Sequence, residues 1–502
     1  YNNLLFFNNA AGTQIPKQVL NSFNDFIINS YSQPFDNNIL SKNNKQNINN
    51  CNNIVNIITN NIDGKIIYGN SCSQLMFNLS KSIEKNIMNN GNIVIANFNH
   101  ESCITPFERI ALDNNIEINW WKLHNDNNNY SINYNNLFKQ INNDTKIVII
   151  PHVSNILGNV LDIELISKKI KEINKDTKII VDGVAYLPHN IIDLEKYNVD
   201  YYVFSFYKFF GLRISGLYIK NTCFNNEIKN INNNFFDKEK EFMEKKLQIG
   251  GINYECLNSI NGIKDYLIDF SNEFKYKNKT DNNIFDRELY KFCMEKIYFY
   301  EKIFDRLLQN ILNNKKITYI NDNNLEKTPI YSLIFKEYSS KYIVNTLNNL
   351  NIITANGSFY SNRLINQLDI NEDDGVVRIS LMHYNKFSEI EHLVEILKYF
   401  DKKEMNFEYK IDYNLSFKIS DNIKESFNSL NNDKYYNNLR DRAFSLLKIN
   451  TDYSIEIMNN AKFFQASNYN DYNGNITRDY KNINNELIND EIFKKLILSF
   501  KS

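Results

Sequence analysis

The chain reads as an α/β protein with a mostly parallel sheet, followed by a smaller α+β domain and a C-terminal extension. Three observations predict this. Between Asn61 and about Ile260, short β-branched apolar runs alternate with amphipathic helical stretches, the pattern of strands covered by helices on both faces. From residue 261 to 400 the helical patterns lengthen and strands become fewer. At Asp401-Lys402-Lys403-Glu404 the composition breaks, and the last hundred residues belong to something else.

The elements follow in order. Strands are expected at Ile93–Ala96, Ile116–Trp120, Ile147–Ile150, Ile179–Val181, Tyr202–Ser205 and Gly216–Ile219, each a short run rich in Ile, Val or aromatic residues. Helices lie between them, among them the amphipathic stretches Leu75–Ile87 and Leu165–Ile173. The smaller domain offers helices at Phe285–Leu312, Lys341–Leu350 and Glu389–Phe400, with strands at Ile330–Phe335 and Val376–Leu381. The domain reading is therefore 1–60 as an N-terminal segment packing on the small domain, 61–260 as the large domain, 261–400 as the small domain, and 401–502 as the extension.

Composition bounds the function. At 502 residues, with 43% hydrophobic and 23% charged residues, the chain is long enough for two or more domains with a large core. A net charge of −1 gives no electrostatic footprint for nucleic acid or a membrane surface, and no apolar run approaches 18 residues. Neither kind of partner is expected. The six cysteines show no CxxC or zinc spacing, so they are read as reduced and mostly buried, with no metal site, in a cytoplasmic protein. Asparagine is heavily used while glycine (14) and proline (6) are scarce, and the Asn runs are assigned to loops. The chain starts at Tyr1 without a signal-like segment, and reads as a fragment or a processed product.

Two strand runs end on chemistry. Lys178-Ile179-Ile180-Val181 stops at Asp182, and Tyr201-Tyr202-Val203-Phe204 stops beside Ser205 and Lys208. Ligands of α/β sheets bind at the carboxyl ends of strands, so a carboxylate and an amine are expected side by side. A pyridoxal phosphate enzyme needs this pair: a lysine for the Schiff base and an acid to keep the pyridine nitrogen protonated. Phe204, Phe206, Phe209 and Phe210 flank the lysine, and apolar flanks lower an amine's pKa, which suits a nucleophile and proton shuttle.

These residues resemble the class V aminotransferases, fold-type I pyridoxal phosphate enzymes that include the cysteine desulfurases, and among them a cysteine desulfurase-like group. The resemblance covers roughly residues 4–400. Phe6-Phe7-Asn8-Asn9-Ala10-Ala11-Gly12-Thr13-Gln14-Ile15-Pro16 is similar to the family's D-N-A-A-x-x-x-x-P signature, with Asn8 where Asp is commoner. The resemblance implies a seven-stranded large-domain sheet, a homodimer, and catalytic roles for Lys208, Asp182 and His100. His100 stands in Asn99-His100-Glu101-Ser102-Cys103-Ile104-Thr105-Pro106, where the family's imidazole stacks on the cofactor ring and Cys103 replaces the usual Asn. In His152-Val153-Ser154-Asn155-Ile156-Leu157-Gly158 it implies that Asn155 bonds the cofactor's phenolic oxygen. Gly69-Asn70-Ser71-Cys72-Ser73 precedes a helix, where backbone N–H groups hold phosphate. It is similar to the family's phosphate loop, with Ser71, Cys72, Ser73, Ser205 and Tyr207 as cofactor contacts and Tyr207 in place of the usual His. Gly250-Gly251 stands where relatives carry Gly-Thr across a dimer interface. Arg378, in Gly375-Val376-Val377-Arg378-Ile379-Ser380-Leu381, matches the arginine that clamps a substrate carboxylate, a task suited to a bidentate guanidinium. Asn9 is placed beside it as a second substrate contact.

Two departures bear on the reaction. The loop Ala355-Asn356-Gly357-Ser358-Phe359-Tyr360-Ser361 carries Tyr360 where desulfurases carry their sulfur-accepting cysteine, and Ala185 replaces a Gln that follows the aspartate by three. The expected activity is therefore that of a pyridoxal phosphate enzyme acting on an amino acid or small amine, by transamination, β-elimination or racemisation. The alternatives are a desulfurase with an unconventional sulfur acceptor, or part of a fusion with a dioxygenase. The fusion reading rests on Arg440-Asp441-Arg442-Ala443-Phe444-Ser445, Phe463-Phe464-Gln465-Ala466-Ser467-Asn468-Tyr469-Asn470 and Gly474-Asn475-Ile476-Thr477-Arg478-Asp479-Tyr480. These resemble the opening of 2-oxoglutarate/Fe(II) amino-acid dioxygenases, whose iron needs a His-containing triad, yet no histidine follows His392. Either the native protein continues beyond Ser502 or the segment serves packing.

Overall fold

The computed structural model describes residues 4–400 apart from 88–90, 128, 238–244, 275, 277–283 and 313–315. The expectation for 401–502 lies outside the described residues.

Seven strands form the large sheet, in the spatial order Gly64–Gly69, Ser215–Lys220, Tyr201–Ser205, Lys178–Asp182, Thr145–Pro151, Asn92–Ala96 and Glu117–Trp121. All neighbours pair in parallel except Ser215–Lys220, which runs antiparallel to both of its partners. Each expected strand is present within two residues of its expected ends. Gly64–Gly69 had no counterpart in the sequence reading, because Lys65 and the short Ile66-Ile67-Tyr68 run give it no clear apolar period.

Side chains alternate between the two faces, as the period of a strand requires. Ile93 and Ile95 join Ile147, Ile149, Ile180, Tyr201 and Val203 in a core against the helices Cys72–Ile87 and Glu101–Asp113. Val94, Ala96, Val148, Ile150, Val181, Tyr202 and Phe204 face the opposite core with the helices Ile39–Thr59, Ile163–Ile173, Tyr254–Glu273 and Arg287–Leu312. The central strands carry unbroken apolar runs, Ile93–Ala96, Ile147–Pro151 and Ile179–Val181, because both faces are covered.

The smaller unit holds an antiparallel sheet in the order Ile317–Tyr319, Ile330–Phe335, Val376–Ser380 and Ala355–Gly357. Its core draws Leu307, Tyr331, Leu333, Ile343, Val377, Ile379 and Leu393 together with Phe7. The expected 260/261 boundary falls inside the helix Tyr254–Glu273, which packs on the N-terminal helices Lys17–Asn29 and Ile39–Thr59. Residues 1–60 divide accordingly. Leu5–Phe6 pairs with Ile352–Ile353 of the smaller unit, while the two helices pack into the larger core.

Asparagine does structural work that glycine usually does. Asn38, Asn133 and Asn253 cap helices by accepting backbone N–H bonds, and Asn60, Asn115, Asn127 and Asn351 hold left-handed turns. The six cysteines are free, and all but Cys256 are buried. No helix among the described residues is long and apolar enough to cross a membrane.

Gly262 marks a close crossing of the helices Tyr254–Glu273 and Lys17–Asn29. A Cβ there would stand 2.3 Å from the Val19 Cα and 2.4 Å from the Gln18 carbonyl oxygen, both backbone atoms that have no rotamer to change. Gly262→Ala should destabilise the protein by about 1–3 kcal/mol, the usual penalty of overpacking. Denaturant unfolding of the full chain reads this directly; a midpoint equal to wild type would show that the helices separate freely.

Candidate active site

The chemistry-bearing residues leave the ends of four adjacent strands. Asn92–Ala96 leads to His100, Thr145–Pro151 to His152 and Asn155, Lys178–Asp182 ends on Asp182, and Tyr201–Ser205 leads through the 3-10 turn Phe206–Lys208 to Lys208. Because these strands are parallel neighbours, their carboxyl ends open on one crevice. The fifth contribution crosses from the smaller unit. Arg378 alternates with the core residues Val377 and Ile379, so it faces away from their core, and its Nη1 donates to the Asn155 carbonyl at 3.2 Å.

Lys208 is 9% exposed, and its Nζ has no hydrogen-bond or ion-pair partner among the described residues. Burial, then the positive charge of Arg378, brings its ammonium down to about 8 against the opposing pull of Asp182 and Cys72. Asp182 shifts upward because burial outweighs the Val184 N–H, the Cys103 S–H and the Lys208 charge. Burial also pushes the Arg378 guanidinium below its ordinary value. These groups thus share one electrostatic neighbourhood.

The lysine turn is held from outside. Thr13 N–H donates to the Tyr207 carbonyl at 3.1 Å, and the Phe210 N–H donates to Thr13 Oγ1 at 2.8 Å, pinning Phe210 at a φ of 62°. Sequence reasoning missed Thr13, since its bonds span almost two hundred residues. Gly183 is needed beside Asp182 because a Cβ would come 2.1 Å from the Tyr202 ring. The Tyr202 hydroxyl lies 2.8 Å from His152 Nδ1, and His152 stacks on Tyr186 at 3.4 Å.

His100 caps the helix Glu101–Asp113, with Nδ1 accepting the Ser102 N–H at 3.1 Å and lying 2.7 Å from Ser102 Oγ. An acceptor Nδ1 places the ring proton on Nε2. Burial, with Lys208 and Arg378 adding to it, lowers its pKa to about 3, so the imidazole stays neutral.

The phosphate-loop expectation divides. Ser71 Oγ accepts the Gln74 N–H at 3.1 Å, and the helix Cys72–Ile87 starts there with free N–H groups in its first turn. Ser73 is exposed. The Cys72 thiol instead points into the core and donates to the Phe204 carbonyl at 3.3 Å, so only its backbone can serve an anion. Ser205 accepts from Ser215 Oγ at 3.0 Å. Tyr207 lies near Arg213, Cys72 and Asp182, and burial raises its pKa to about 12.

Asn9 is buried and fully engaged: its amide donates to the Ser380 carbonyl at 2.8 Å and to Asn385, and accepts from the Tyr384 hydroxyl. It ties the N-terminal segment to the Arg378 strand and has little amide capacity left for a substrate. Ala185 is buried beside Ala10, Val153 and Ile330.

The loop at 358–361 is fastened over the site. Asn155 Nδ2 donates to the Phe359 carbonyl at 2.9 Å, Ser361 Oγ donates to Asn155 Oδ1 at 2.9 Å, and the Glu101 N–H donates to the Tyr360 carbonyl at 2.8 Å. The Phe359 ring lies 3.7 Å from the Arg378 guanidinium, and Tyr360, 71% exposed, leans on His100. Phe359 and Tyr360 are both left-handed, a cost met by these bonds. Asn155 therefore spends both ends of its amide on the loop.

Against this geometry, comparison with known proteins is specific. Residues 5–229 and 289–393 match the class-V aminotransferase family, and the chain belongs to it. Residues 424–502 match the 2OG-Fe dioxygenase family. The chain is 29% identical to an aminotransferase-like protein, FGM3, of Gibberella zeae, over 66% of this chain and 78% of that protein. It is 26% identical to the cysteine desulfurase-like protein ustD of Aspergillus flavus, over 76% and 84%. A solved cysteine desulfurase of Thermococcus onnurineus NA1 superposes with a TM-score of 0.67 at 19% identity, covering 79% of this chain and 94% of that one. The fold is thus the fold-type I architecture of these enzymes.

The Lys208 environment predicts a titration. In protein freed of any cofactor, amine-directed labelling of Lys208 should rise through a midpoint near pH 8, because only the neutral amine reacts. Arg378→Ala should move that midpoint up and Asp182→Asn should move it down, following the charges that each removes. Peptide mapping of the labelled lysine is the measurement; a midpoint near 10.5 would place Lys208 in water.

Proposed function

We propose that this chain is a pyridoxal phosphate enzyme acting on an amino acid or small amine, and that it does not work through a loop cysteine. The observation that carries the reading is Lys208: a buried amine with no hydrogen-bond or ion-pair partner among the described residues, brought to about 8, beside a buried carboxylate. A buried amine lowered in this way beside a carboxylate, at the carboxyl ends of parallel strands, is the mark of a functional site. The site fits the cofactor in its other parts as well. Arg378 is 3% exposed, and its Nε has no hydrogen-bond partner among the described residues, a buried donor that a carboxylate would satisfy.

Lys208 would hold the cofactor through Nζ and, once released, take the α-proton of the substrate at that atom. Asp182 would hold a proton on the pyridine nitrogen, neutral His100 would lie against the ring, and the second N–H of the Asn155 amide, beside the one given to Phe359, would face its phenolic oxygen. The start of the helix Cys72–Ile87, with Ser71, Ser73, Ser205 and Tyr207, would hold the phosphate. Arg378 Nε and Nη2 would take the substrate carboxylate, since Nη1 is committed to Asn155. When bound, the cofactor supplies an electron sink for charge developing at the α-carbon. Assembly as a homodimer belongs to the same proposal; Gly250 and Gly251 lie exposed, with nothing within 4 Å of the Cβ each lacks.

The desulfurase alternative needs an accessible thiolate. Cys72 and Cys103 border the site, but both are buried, both donate their S–H to oxygen, and burial raises both above the ordinary thiol range. Tyr360 is a phenol and does not accept sulfur as a persulfide.

Purified protein should show a visible cofactor band that borohydride removes, leaving the reduced adduct on Lys208 by peptide mapping; Lys208→Ala should carry none. A reducible adduct on another residue would sink the assignment. Arg378→Ala should weaken amino-acid binding by about 3–5 kcal/mol, the range for breaking a buried ion pair. Mass spectrometry after incubation with cysteine should find no persulfide, and one formed at a catalytic rate would favour the desulfurase reading.

A further inference from the structure

The Asp182 carboxylate is gripped by a thiol. Asp182 Oδ2 accepts from Cys103 Sγ at 3.1 Å, and Oδ1 accepts the Val184 N–H at 3.0 Å. Cys103 lies in the first turn of the helix Glu101–Asp113, three residues after His100, and is fully buried; Asp182 is 6% exposed. The bond joins the helix that His100 caps to the strand end that presents Asp182.

We propose that Cys103 is a positioning residue for the pyridine nitrogen's partner: its S–H, with the Val184 N–H, holds Asp182 as an ionised acceptor, so that a shared proton stays on the ring nitrogen. This rests on the pyridoxal phosphate reading of the site. A carboxylate has four lone-pair positions, and these two bonds use two of them, leaving capacity for a ligand. Burial alone drives a carboxyl group toward its neutral acid, which would donate a proton instead of accepting one. Three things oppose this at Asp182: the Val184 N–H, the Cys103 S–H and the Lys208 charge. Cys72, Tyr202 and Tyr207 also lie within the carboxylate's field, and all three are held protonated by burial.

The direction of the bond is settled by the same environment. Burial and the neighbouring carboxylate push the Cys103 thiol well above its ordinary range, so sulfur keeps its proton and donates. Val184 N–H is fixed by the backbone, whereas Cys103 is a side chain that substitution can change. Without it, one oxygen of a fully buried carboxylate loses its donor, and the shared proton moves toward Asp182.

A filler role and a donor role separate by substitution: Cys103→Ser keeps a donor, while Cys103→Val keeps the bulk without one. The full chain would be loaded with pyridoxal 5′-phosphate labelled with nitrogen-15 in the ring. Wild type and Cys103→Ser should show the ring-nitrogen shift of a protonated pyridine. Cys103→Val should move toward the unprotonated shift, with the cofactor dissociation constant raised about ten-fold. Cys103→Ala, expected to behave likewise, covers the case in which valine does not fit. In an Asp182→Asn background, Cys103→Val should add less than about a two-fold change, since two changes on one bond do not add. If the valine and alanine variants match wild type in both readings, or serine is as impaired as valine, the role of Cys103 is packing and the proposal falls. Wild-type protein that takes up no cofactor would overturn the proposed function instead, before any Cys103 variant is compared.

Discussion

Three charged side chains, Lys208, Asp182 and Arg378, are buried together where strand ends meet the smaller sheet. Taking one such group from water is expensive, and taking three requires that each be near an opposite charge or a donor. Asp182 lowers the penalty of Lys208, but one carboxylate against two cations leaves a surplus of positive charge. Lys208 shifts down first through burial, and the charge of Arg378, which adds to it, expresses that surplus. That surplus favours an anion in the site. A phosphate and a carboxylate are the two anions that the proposed chemistry brings, one at the start of the helix Cys72–Ile87 and one at Arg378.

Such a site is stable only if its walls do not relax, and the walls come from distant parts of the chain. The segment from Phe7 to Thr13 is the main tie. Phe7 sits in the smaller core and Asn9 bonds Ser380 and Asn385, while Thr13 holds the turn that carries Lys208. A stretch of seven residues thus fixes the lysine relative to the arginine. That accounts physically for an Asn-Asn-Ala-Ala-Gly-Thr run in a segment without long regular structure: small residues approach backbone closely, and Asn9 and Thr13 are consumed as ties.

The parallel sheet was legible because buried strands are written as unbroken apolar runs, and Asp182 and Lys208 were legible because they interrupt those runs at their ends. Gly64–Gly69 was hidden because a strand that opens with Gly and Lys has no such signature. Thr13 and the Cys103–Asp182 bond were hidden for another reason. A threonine or cysteine reads the same in any loop, and only the tertiary fold brings Cys103, on the helix after one strand, against the end of another. Asn9 shows what sequence does not reveal about a polar residue in a marked segment: its amide is directed at Ser380, Asn385 and Tyr384.

The loop that carries Tyr360 bears on which chemistry these parts can perform. A sulfur-accepting loop has to move, because its nucleophile must reach the substrate and then leave with the product sulfur. Here the loop is bonded through Asn155 and Glu101, and the Phe359 ring lies 3.7 Å from the guanidinium that would bind the substrate. Releasing it would uncover Arg378 and free the Asn155 amide in the same motion. Two roles that look separate in the sequence, a loop and a carboxylate clamp, are therefore one mechanical unit in the folded protein. With a phenol at its tip instead of a thiol, that unit is suited to close over a substrate and to shape its access.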